Sequence, residues 1–214
     1  MTAFRFEWVD QYLRCEPEVI VDAGCYDCTD SIAFKERWPG ARVFAFEACP
    51  DNFARIRMAG RAATAGVIAT HAAVCDHEEG VEFHSNTDTK QPGHFGQSGS
   101  ILAPTQKLVA TWPSIAFKKS RRVPSVRLDL FCGRSNVRAI DVLHMDVQGA
   151  EHFVLLGLGI MRPPIIFLET NETADEGRYE NAVAKDDIRA WFLANGYSRK
   201  WESDCDALYI HERA

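Results

Sequence analysis

Short apolar runs recur along the chain, and stretches with the periodicity of amphipathic helices separate them. Apolar runs without alternation are typical of strands buried on both faces of a parallel sheet. Strands that alternate with helices predict a doubly wound α/β sheet, whose ligands bind at the carboxyl ends of the strands. The runs lie at residues 19–23, 43–46, 67–74, 140–145 and 164–168, the third of them interrupted at His71.

The intervening stretches predict helices with ordinary start and stop signals. Thr29 or Asp30 is expected to cap the second helix, and Asn195-Gly196 to end the last one. Residues 197–201 and 207–210 predict two strands of an antiparallel hairpin. The predicted helices span about residues 7–14, 29–38, 50–58, 151–158 and 183–194.

The middle of the chain is less regular. Residues 81–84 alternate and predict a short strand of an added hairpin, whereas residues 85–100 are polar and aperiodic and predict a long loop. His94, in that loop, is a candidate for a proton shuttle. A basic cluster at 118–122 precedes a predicted strand at 123–128; it is interpreted as a solvated turn or, alternatively, as a contact for an anionic substrate.

Composition narrows the class of protein. The chain has 214 residues, 46% of them hydrophobic, so we expect one domain over residues 1–214, with a loop-rich substrate region at about 84–122. A formal net charge of −6 argues against nucleic-acid binding, and no apolar run approaches the ~18 residues of a membrane span. Seven scattered cysteines and the lack of a signal-peptide core indicate reduced thiols in the cytoplasm. The oligomeric state stays open.

Acidic residues follow or end four of the predicted strands: Asp22, Glu47, Asp146 and Glu169. Because the carboxyl ends of parallel strands share one edge of a sheet, these carboxylates are expected to converge on one crevice. Acids at strand ends also cap helices, which is the alternative interpretation of each of them.

The turn after the first strand indicates the kind of ligand. Gly24 lets the chain approach a ligand without a Cβ, but residues 25–28 contain no further glycine, so the pyrophosphate motif of dinucleotide folds is missing. Glu47 is placed to accept hydrogen bonds from the 2′ and 3′ hydroxyls of a ribose. Tyr26 and Asp27 suit the amino-acid end or the cationic centre of such a ligand, although Asp27 is equally interpreted as a turn residue.

Asp146, at the end of the central strand, is the first candidate for chemistry. Its carboxylate is expected either to attract a positively charged centre or to take the proton from an attacking hydroxyl as a general base. Glu169 is a second candidate base. Glu151 lies in the first turn of a predicted helix, where favourable contact with the helix dipole competes with a substrate contact. His144 is expected to be packed or hydrogen-bonded.

Metal and thiol chemistry are weaker interpretations. Asp146, Glu169 and Asn171 offer oxygen ligands for Mg²⁺, but no dense acidic cluster supports a metal, and we expect none. Cys25 and Cys28 form an isolated CxxC pair, interpreted as small residues of a turn rather than as a zinc or redox site.

Several segments carry a resemblance to a known family, and they occur in that family's order. The chain contains VDAGCYD (21–27), FAFEACPDNF (44–53), AAVCD (72–76), SGS (98–100), VRLD (126–129), LHMDVQGAE (143–151) and IIFLE (165–169). Together they resemble the FkbM family of S-adenosylmethionine-dependent methyltransferases, over roughly residues 18–172. The segment at 143–151 is the most specific of them.

The resemblance implies a Rossmann-like class I methyltransferase with a mostly parallel seven-stranded sheet and an antiparallel last strand. It implies S-adenosylmethionine as the cofactor and transfer of a methyl group, usually to a hydroxyl of a sugar, a polyketide or a similar small metabolite. The cofactor-binding residues that it implies are Asp22, Gly24 and Tyr26 at the methionine portion, Glu47 at the ribose with Ala48 beside it, and Ala73 and Val74 at the adenine edge.

This chain departs from the family pattern at two positions. Cys28 stands where the family usually has Gly, and Gln148 where it usually has Glu, so a catalytic role for that carboxylate cannot operate here. We expect O-methylation of a small hydroxylated molecule, with Asp146 or Glu169 assisting deprotonation and with proximity supplying much of the rate. The alternatives are a nicotinamide-dependent oxidoreductase that binds ribose through Glu47, and a cofactor-binding module without catalysis.

Overall fold

Strands and helices alternate along most of the chain, as the apolar pattern predicts. The computed structural model describes residues 4–90, 96–170 and 177–212. The helices are α1 (Phe6–Tyr12), α2 (Thr29–Arg37), α3 (Pro50–Ala59), α4 (Arg61–Ala65), α5 (Gln106–Thr111), α6 (Leu128–Arg134), α7 (Glu151–Gly157) and α8 (Lys185–Ala194). The strands are β1 (Val19–Ala23), β2 (Arg42–Glu47), β3 (Ile68–His71), β4 (Ala73–Val74), β5 (Val81–Phe83), β6 (Asn86–Asp88), β7 (Ile115–Phe117), β8 (Arg121–Val123), β9 (Ser125–Val126), β10 (Val142–Met145), β11 (Ile165–Glu169), β12 (Tyr197–Glu202) and β13 (Asp206–His211).

Seven strands form the central sheet, in the order β12-β13-β11-β10-β1-β2-β3. The five from β11 to β3 are parallel, and β13 runs antiparallel to both β11 and β12. The predicted α/β sheet with an antiparallel last strand is therefore confirmed. Strand order reverses between β1 and β10, and in sheets of this kind ligands bind at such a switch point.

The core lies in two layers, one on each face of the sheet. Successive side chains of a strand point to opposite faces, so Val21 and Ala23 of β1 join the layer covered by α6, α7 and α8, whereas Ile20 joins the layer covered by α1 and α2. Both faces of β1 are buried throughout. The run at 19–23, which is apolar except for Asp22, is thus explained by burial on both sides.

Two predicted strands of the middle region are divided. The run at 67–74 breaks at Ala72, because β4 leaves the central sheet and pairs with β9 instead. The predicted strand at 123–128 is also wrong in extent, since β8 ends at Val123, β9 is short and α6 already begins at Leu128. Pro124 separates β8 from β9; it lacks an N–H donor, and its carbonyl accepts a hydrogen bond from the Ala73 N–H at 2.9 Å.

The expected added hairpin is a nested pair of antiparallel ladders. β5 pairs with β8, and β6 pairs with β7 inside it. The polar stretch at 85–100 therefore contains the strand β6, which its composition does not indicate, because the partner β7 lies far along the chain. The region at about 84–122 also contains the short helix α5.

The start of α2 differs from the predicted cap. Thr29 and Asp30 are already helical, and the N-cap residue is Cys28, in a left-handed conformation with φ of 63° and without a side-chain cap. Asp27 Oδ1 accepts a hydrogen bond from the Thr29 N–H at 2.9 Å instead. Over the described ranges, no helix combines the length and the apolar character needed to cross a membrane.

Candidate functional site

A cavity of about 620 Å³ opens at the carboxyl edge of the central sheet. Every residue predicted to bind the cofactor or to act as the catalytic base lines it, although these residues come from distant parts of the sequence. They are Asp22, Gly24, Tyr26, Asp27, Glu47, Ala48, Ala73, Val74, Asp146 and Glu169. The convergence expected from the strand ends is therefore present, while the role of each residue stays a prediction.

Gly24 sits where the chain leaves β1 and passes between two neighbouring strands. Its φ is +86°, and a Cβ built on it would lie 1.9 Å from the carbonyl oxygen of Asp146. The N–H groups of Gly24 and Cys25 both donate to the Phe46 carbonyl, at 2.9 and 3.0 Å. Glycine is required here by a close backbone approach, and the turn is held against β2 and β10 at once.

Asp22 is committed to an internal network. The register of β1 and β10 pairs it with His144, and its Oδ1 lies 2.8 Å from His144 Nδ1 while its Oδ2 accepts a hydrogen bond from Ser31 Oγ. Burial lowers the pKa of His144, but the hydrogen bond and the nearby carboxylates outweigh it, and the net direction is upward. His144 also stacks on Phe167, with ring centroids 5.6 Å apart. The expected hydrogen bonding and packing of His144 are present. Both carboxylate oxygens of Asp22 are bonded to protein groups, and its side chain is almost fully buried in the cavity wall.

Glu47 ends β2 and is 5% exposed. Its Oε1 accepts a hydrogen bond from the Cys49 N–H at 2.7 Å, so it does help to hold the start of α3. Burial raises the pKa of Glu47 to about 8, against hydrogen bonds from the backbone of Cys49 and Tyr26 and from the Asn52 side chain. A buried carboxyl group on a cavity wall has acceptor capacity left for a ligand, so the capping and ligand-binding interpretations are compatible.

Cys25 and Cys28 are both buried, and their sulfur atoms are 3.4 Å apart. The hydrogen bond with Cys28, followed by burial, raises the pKa of the Cys25 thiol well above its usual range. Buried thiols of this kind are poor nucleophiles and poor metal ligands at neutral pH. The arrangement supports their interpretation as small residues of the turn, and Cys28 takes the left-handed conformation that the family's usual glycine would adopt without strain.

Asp146 and Glu169 are joined by an amide that the sequence did not single out as a ligand. Gln148 Nε2 lies 2.6 Å from Asp146 Oδ1 and 2.6 Å from Glu169 Oε2. Gln148 has a φ of 56° and Gly149 a φ of 89°, so the turn after β10 is left-handed at two successive residues. That turn aims the Gln148 side chain across the carboxyl ends of β10 and β11.

Glu151 supports the same turn from below. It is 1% exposed, and its Oε1 accepts hydrogen bonds from the N–H groups of Gly149 at 3.2 Å and Val147 at 3.4 Å. Burial, with the charge of Asp146 adding to it, raises the pKa of Glu151 to about 8 against these bonds. Glu151 is absent from the cavity wall, so the structural interpretation of this acid is the one supported.

We expect Glu151→Gln to flatten the dependence of stability on pH. The pKa of Glu151 is raised on folding, so its stabilising contribution is complete below pH 4.5 and is lost as the pH rises through about 8. Urea unfolding at pH 5, 6.5 and 8 should show a smaller fall in unfolding free energy for Glu151→Gln than for the wild type. The exposed Glu36→Gln is the control, and parallel curves for Glu151→Gln and wild type would contradict the expectation.

Further residues of the cavity were missed by the sequence analysis. Cys205 and Asp206 reach it because the amino-terminal end of an antiparallel strand lies at the same edge as the carboxyl ends of its parallel neighbours. Glu169 and Asp206 are directly paired in β11 and β13. The predicted antiparallel hairpin was a usable signal for these two residues. Six further lining residues fall within the substrate region predicted at about 84–122: Ser85, Gly96, Gln97, Ser98, Gly99 and Ile101.

The cavity wall is acidic. Seven of its residues are carboxylic acids, and none of the described lining residues is Lys or Arg. Burial and the charge of Asp146 raise the pKa of Asp206, and burial raises that of Asp30. Such a wall favours a cationic or uncharged ligand over an anionic one.

Three predicted features lie away from the cavity or outside the described residues. Lys118 Nζ contacts Asp51 Oδ2 at 2.8 Å, and Arg121 Nη1 lies 3.7 Å from Asp51 Oδ1. The basic cluster at 118–122 thus pairs with α3 and is absent from the described lining, which does not support a contact with an anionic substrate. His94 and Asn171 lie outside the described residues.

Comparison with known proteins bears on the whole arrangement. A family model described as the methyltransferase FkbM domain matches residues 22–199. The 2-O-methyltransferase NoeI of Sinorhizobium fredii (strain NBRC 101917 / NGR234) is 31% identical over 165 residues, which are 77% of this chain and 67% of that protein.

Solved structures give a likeness of fold. Fibrillarin from Aeropyrum pernix, with natively bound S-adenosyl-L-methionine, aligns over 91% of this chain and 66% of its own, with a TM-score of 0.51 and 11% identity. Precorrin-6y C5,15-methyltransferase from Geobacter metallireducens GS-15 aligns over 95% and 84%, with a TM-score of 0.49 and 12% identity. The extent of the family match and the identity to NoeI decide the family: this chain belongs to the FkbM family of S-adenosylmethionine-dependent methyltransferases.

Proposed function

We propose that this enzyme methylates a hydroxyl group of a small, uncharged, polyhydroxylated molecule, and that the carboxylates of Asp146 and Glu169 face that hydroxyl. The observation that carries the proposal is the joined pair of carboxylates at the ends of β10 and β11, on the wall of the cavity that also contains Glu47. Neither a nicotinamide-dependent oxidoreductase nor a cofactor-binding module without catalysis is favoured by the family match.

The residues present fit S-adenosylmethionine. A cavity of about 620 Å³ lies within the ~300–1,000 Å³ usual for ligand sites. Glu47 offers a buried acceptor for ribose hydroxyls, and the Gly24 turn lets the ligand approach the backbone. The acidic wall, including Asp27, suits a cationic cofactor. Ala48, Ala73 and Val74 supply an apolar edge of the kind an adenine ring requires.

Asp146 and Glu169 would act on the acceptor. When bound, the cofactor supplies a methyl group made electrophilic by a positively charged sulfur. Asp146 is exposed to the cavity and Glu169 is half-buried, so at least one carboxylate can accept the acceptor's hydroxyl proton as a general base. The rigid strand ends hold that carboxylate in place, and orientation of this kind supplies much of the rate.

The acceptor's chemistry follows from the remaining wall. Ser85, Gln97, Ser98 and Asp206 offer hydrogen-bonding groups without a positive charge, which suits the hydroxyls of a carbohydrate better than a phosphate or a carboxylate. The related NoeI is a 2-O-methyltransferase, which supports oxygen as the methylated atom. We place the substrate region at about 84–122 within one domain over residues 1–214, and the reaction in the cytoplasm, where all seven free cysteines stay reduced.

Methyl transfer to a panel of neutral glycosides, measured with S-adenosylmethionine labelled in the methyl group, tests the proposal. We expect incorporation into at least one hydroxylated neutral acceptor, and loss of roughly 10²–10⁴-fold in kcat for whichever of Asp146→Asn and Glu169→Gln removes the base. The distant Glu36→Gln should retain the wild-type rate. Methylation of anionic acceptors alone would refute the proposed acceptor class, and full activity in both variants would refute the proposed role of the carboxylates.

A further inference from the structure

Gln148 is a buried amide placed between the two candidate bases. Its Nε2 lies 2.6 Å from an oxygen of Asp146 and 2.6 Å from an oxygen of Glu169. An amide nitrogen carries two hydrogens and accepts none. One hydrogen is therefore donated to each carboxylate, and the two acids share a single donor atom.

The Gln148 amide lies between two groups that can both carry a negative charge, the carboxylates of Asp146 and Glu169. Two carboxylates this close repel each other, and a proton normally binds one of them unless donors or cations compensate. The described cavity wall contains no Lys or Arg; the other titratable groups beside the pair are His144, which bonds to Asp22, and Asp206, which is paired with Glu169 across β11 and β13. The amide of Gln148 is a compensating group that both carboxylates have in common.

The other end of the amide lies beside Tyr179, and the backbone of Gln148 has an unusual conformation. Tyr179 Oη donates to the Ser98 carbonyl at 2.8 Å and lies 3.5 Å from Gln148 Oε1. The left-handed backbone at Gln148, with φ of 56°, is an uncommon conformation for a residue with a side chain. Such conformations persist only where the surrounding structure fixes them, and they are concentrated at functional sites.

We propose that Gln148 is a positioning residue, which holds Asp146 and Glu169 as two neighbouring anions at the acceptor side of the cavity. The inference rests on the proposed function, which gives the two anions their role toward the acceptor hydroxyl. A glutamate at this position could not donate in its charged form, so the glutamine gives this chain an arrangement that does not depend on a proton or a cation between the acids.

Proton exchange on binding of S-adenosylmethionine tests this role without any acceptor. Titration calorimetry at pH 6.5, in buffers with different ionisation enthalpies, counts the protons released. In Gln148→Leu, which keeps the size but removes both donors, the free protein should hold an extra proton on the acid pair. We expect binding of the cationic cofactor to release up to about one proton more than in the wild type.

Two further variants separate this role from simple packing. Gln148→Glu should also release additional protons, because it replaces the donor with a third acid, whereas Gln11→Leu, at an exposed position of α1, should match the wild type. Proton counts equal to the wild type in both Gln148 variants would overturn the proposal. If a variant does not bind the cofactor, its unfolding temperature should fall more steeply than that of the wild type between pH 5 and 7, and equal slopes would overturn the proposal as well. Failure of methyl transfer would instead count against the proposed function and leave the proton count unaffected.

Discussion

Glu47→Ala should weaken the binding of S-adenosylmethionine by roughly 10²–10⁴-fold. In the proposed cofactor site the Glu47 carboxylate accepts two ribose hydroxyls, and hydrogen bonds to a charged acceptor contribute ~1.5–3 kcal/mol each. Titration calorimetry with S-adenosylmethionine and with S-adenosylhomocysteine measures the change, and both ligands should lose affinity alike because they share the ribose. Unchanged affinity for either ligand would remove Glu47 from the cofactor site.

The affinity for S-adenosylmethionine should depend on pH because Glu47 changes its ionisation when the ligand binds. In the free protein the pKa of Glu47 is raised to about 8, so the carboxyl group is largely protonated at neutral pH. The two ribose hydroxyls would donate to the ionised form of Glu47 and so favour it. The affinity for S-adenosylmethionine should therefore rise with pH up to about 8 and then level off.

Glu47→Gln is the matched control for this slope. It retains an acceptor for the Cys49 N–H but cannot ionise, so its affinity should be lower and its pH profile flatter than that of the wild type. A slope that survives in Glu47→Gln would have to come from another group.

Gly24→Ala is expected to damage both stability and cofactor binding. The new Cβ would meet the backbone carbonyl of Asp146 at 1.9 Å, and the φ of +86° is unfavourable for alanine. Because the obstacle is backbone, either the turn or the end of β10 must move, and the two hydrogen bonds to the Phe46 carbonyl are strained with it. We expect a loss of at least about 2 kcal/mol in unfolding free energy, measured by urea denaturation, and severely reduced cofactor affinity.

Gly40→Ala is the control for the Gly24 substitution. Gly40 lies in an exposed turn and has no left-handed φ, and no neighbouring atom lies within 4 Å of the position that an alanine Cβ would take there. Its replacement should change the unfolding free energy by less than about 1 kcal/mol. Equal effects at the two glycines would show that the close approach to Asp146 is not what fixes Gly24.

The parts of the fold that the sequence predicts well are those determined locally. β1, β2, β10 and β11 are mostly apolar runs, so their type, their sequence along the chain and the acids at or near their ends can be read without knowing any partner. Gly24 is recognisable for the same reason, because a glycine directly after a buried strand indicates a turn at the ligand edge.

What the sequence does not predict depends on pairing between distant residues. The departure of β4 from the central sheet follows from its partner β9, and the strand β6 in a polar stretch follows from β7. The bond between Asp22 and His144 requires the register of β1 and β10. The bridge formed by Gln148 requires a left-handed turn, which nothing about a lone glutamine indicates.

Because β13 reaches the cavity, the cavity wall is built by two parts of the chain that lie far apart in sequence. The wall with Glu47 and Gly24 is built early in the sequence, whereas Cys205 lies in the turn that joins β12 to β13 and Asp206 begins β13 itself. A hairpin turn at the rim can change in length or composition without shifting the register of the parallel strands. Grafting different turns between β12 and β13 should therefore change this part of the cavity wall while leaving the Gly24 turn and the end of β2 unaltered.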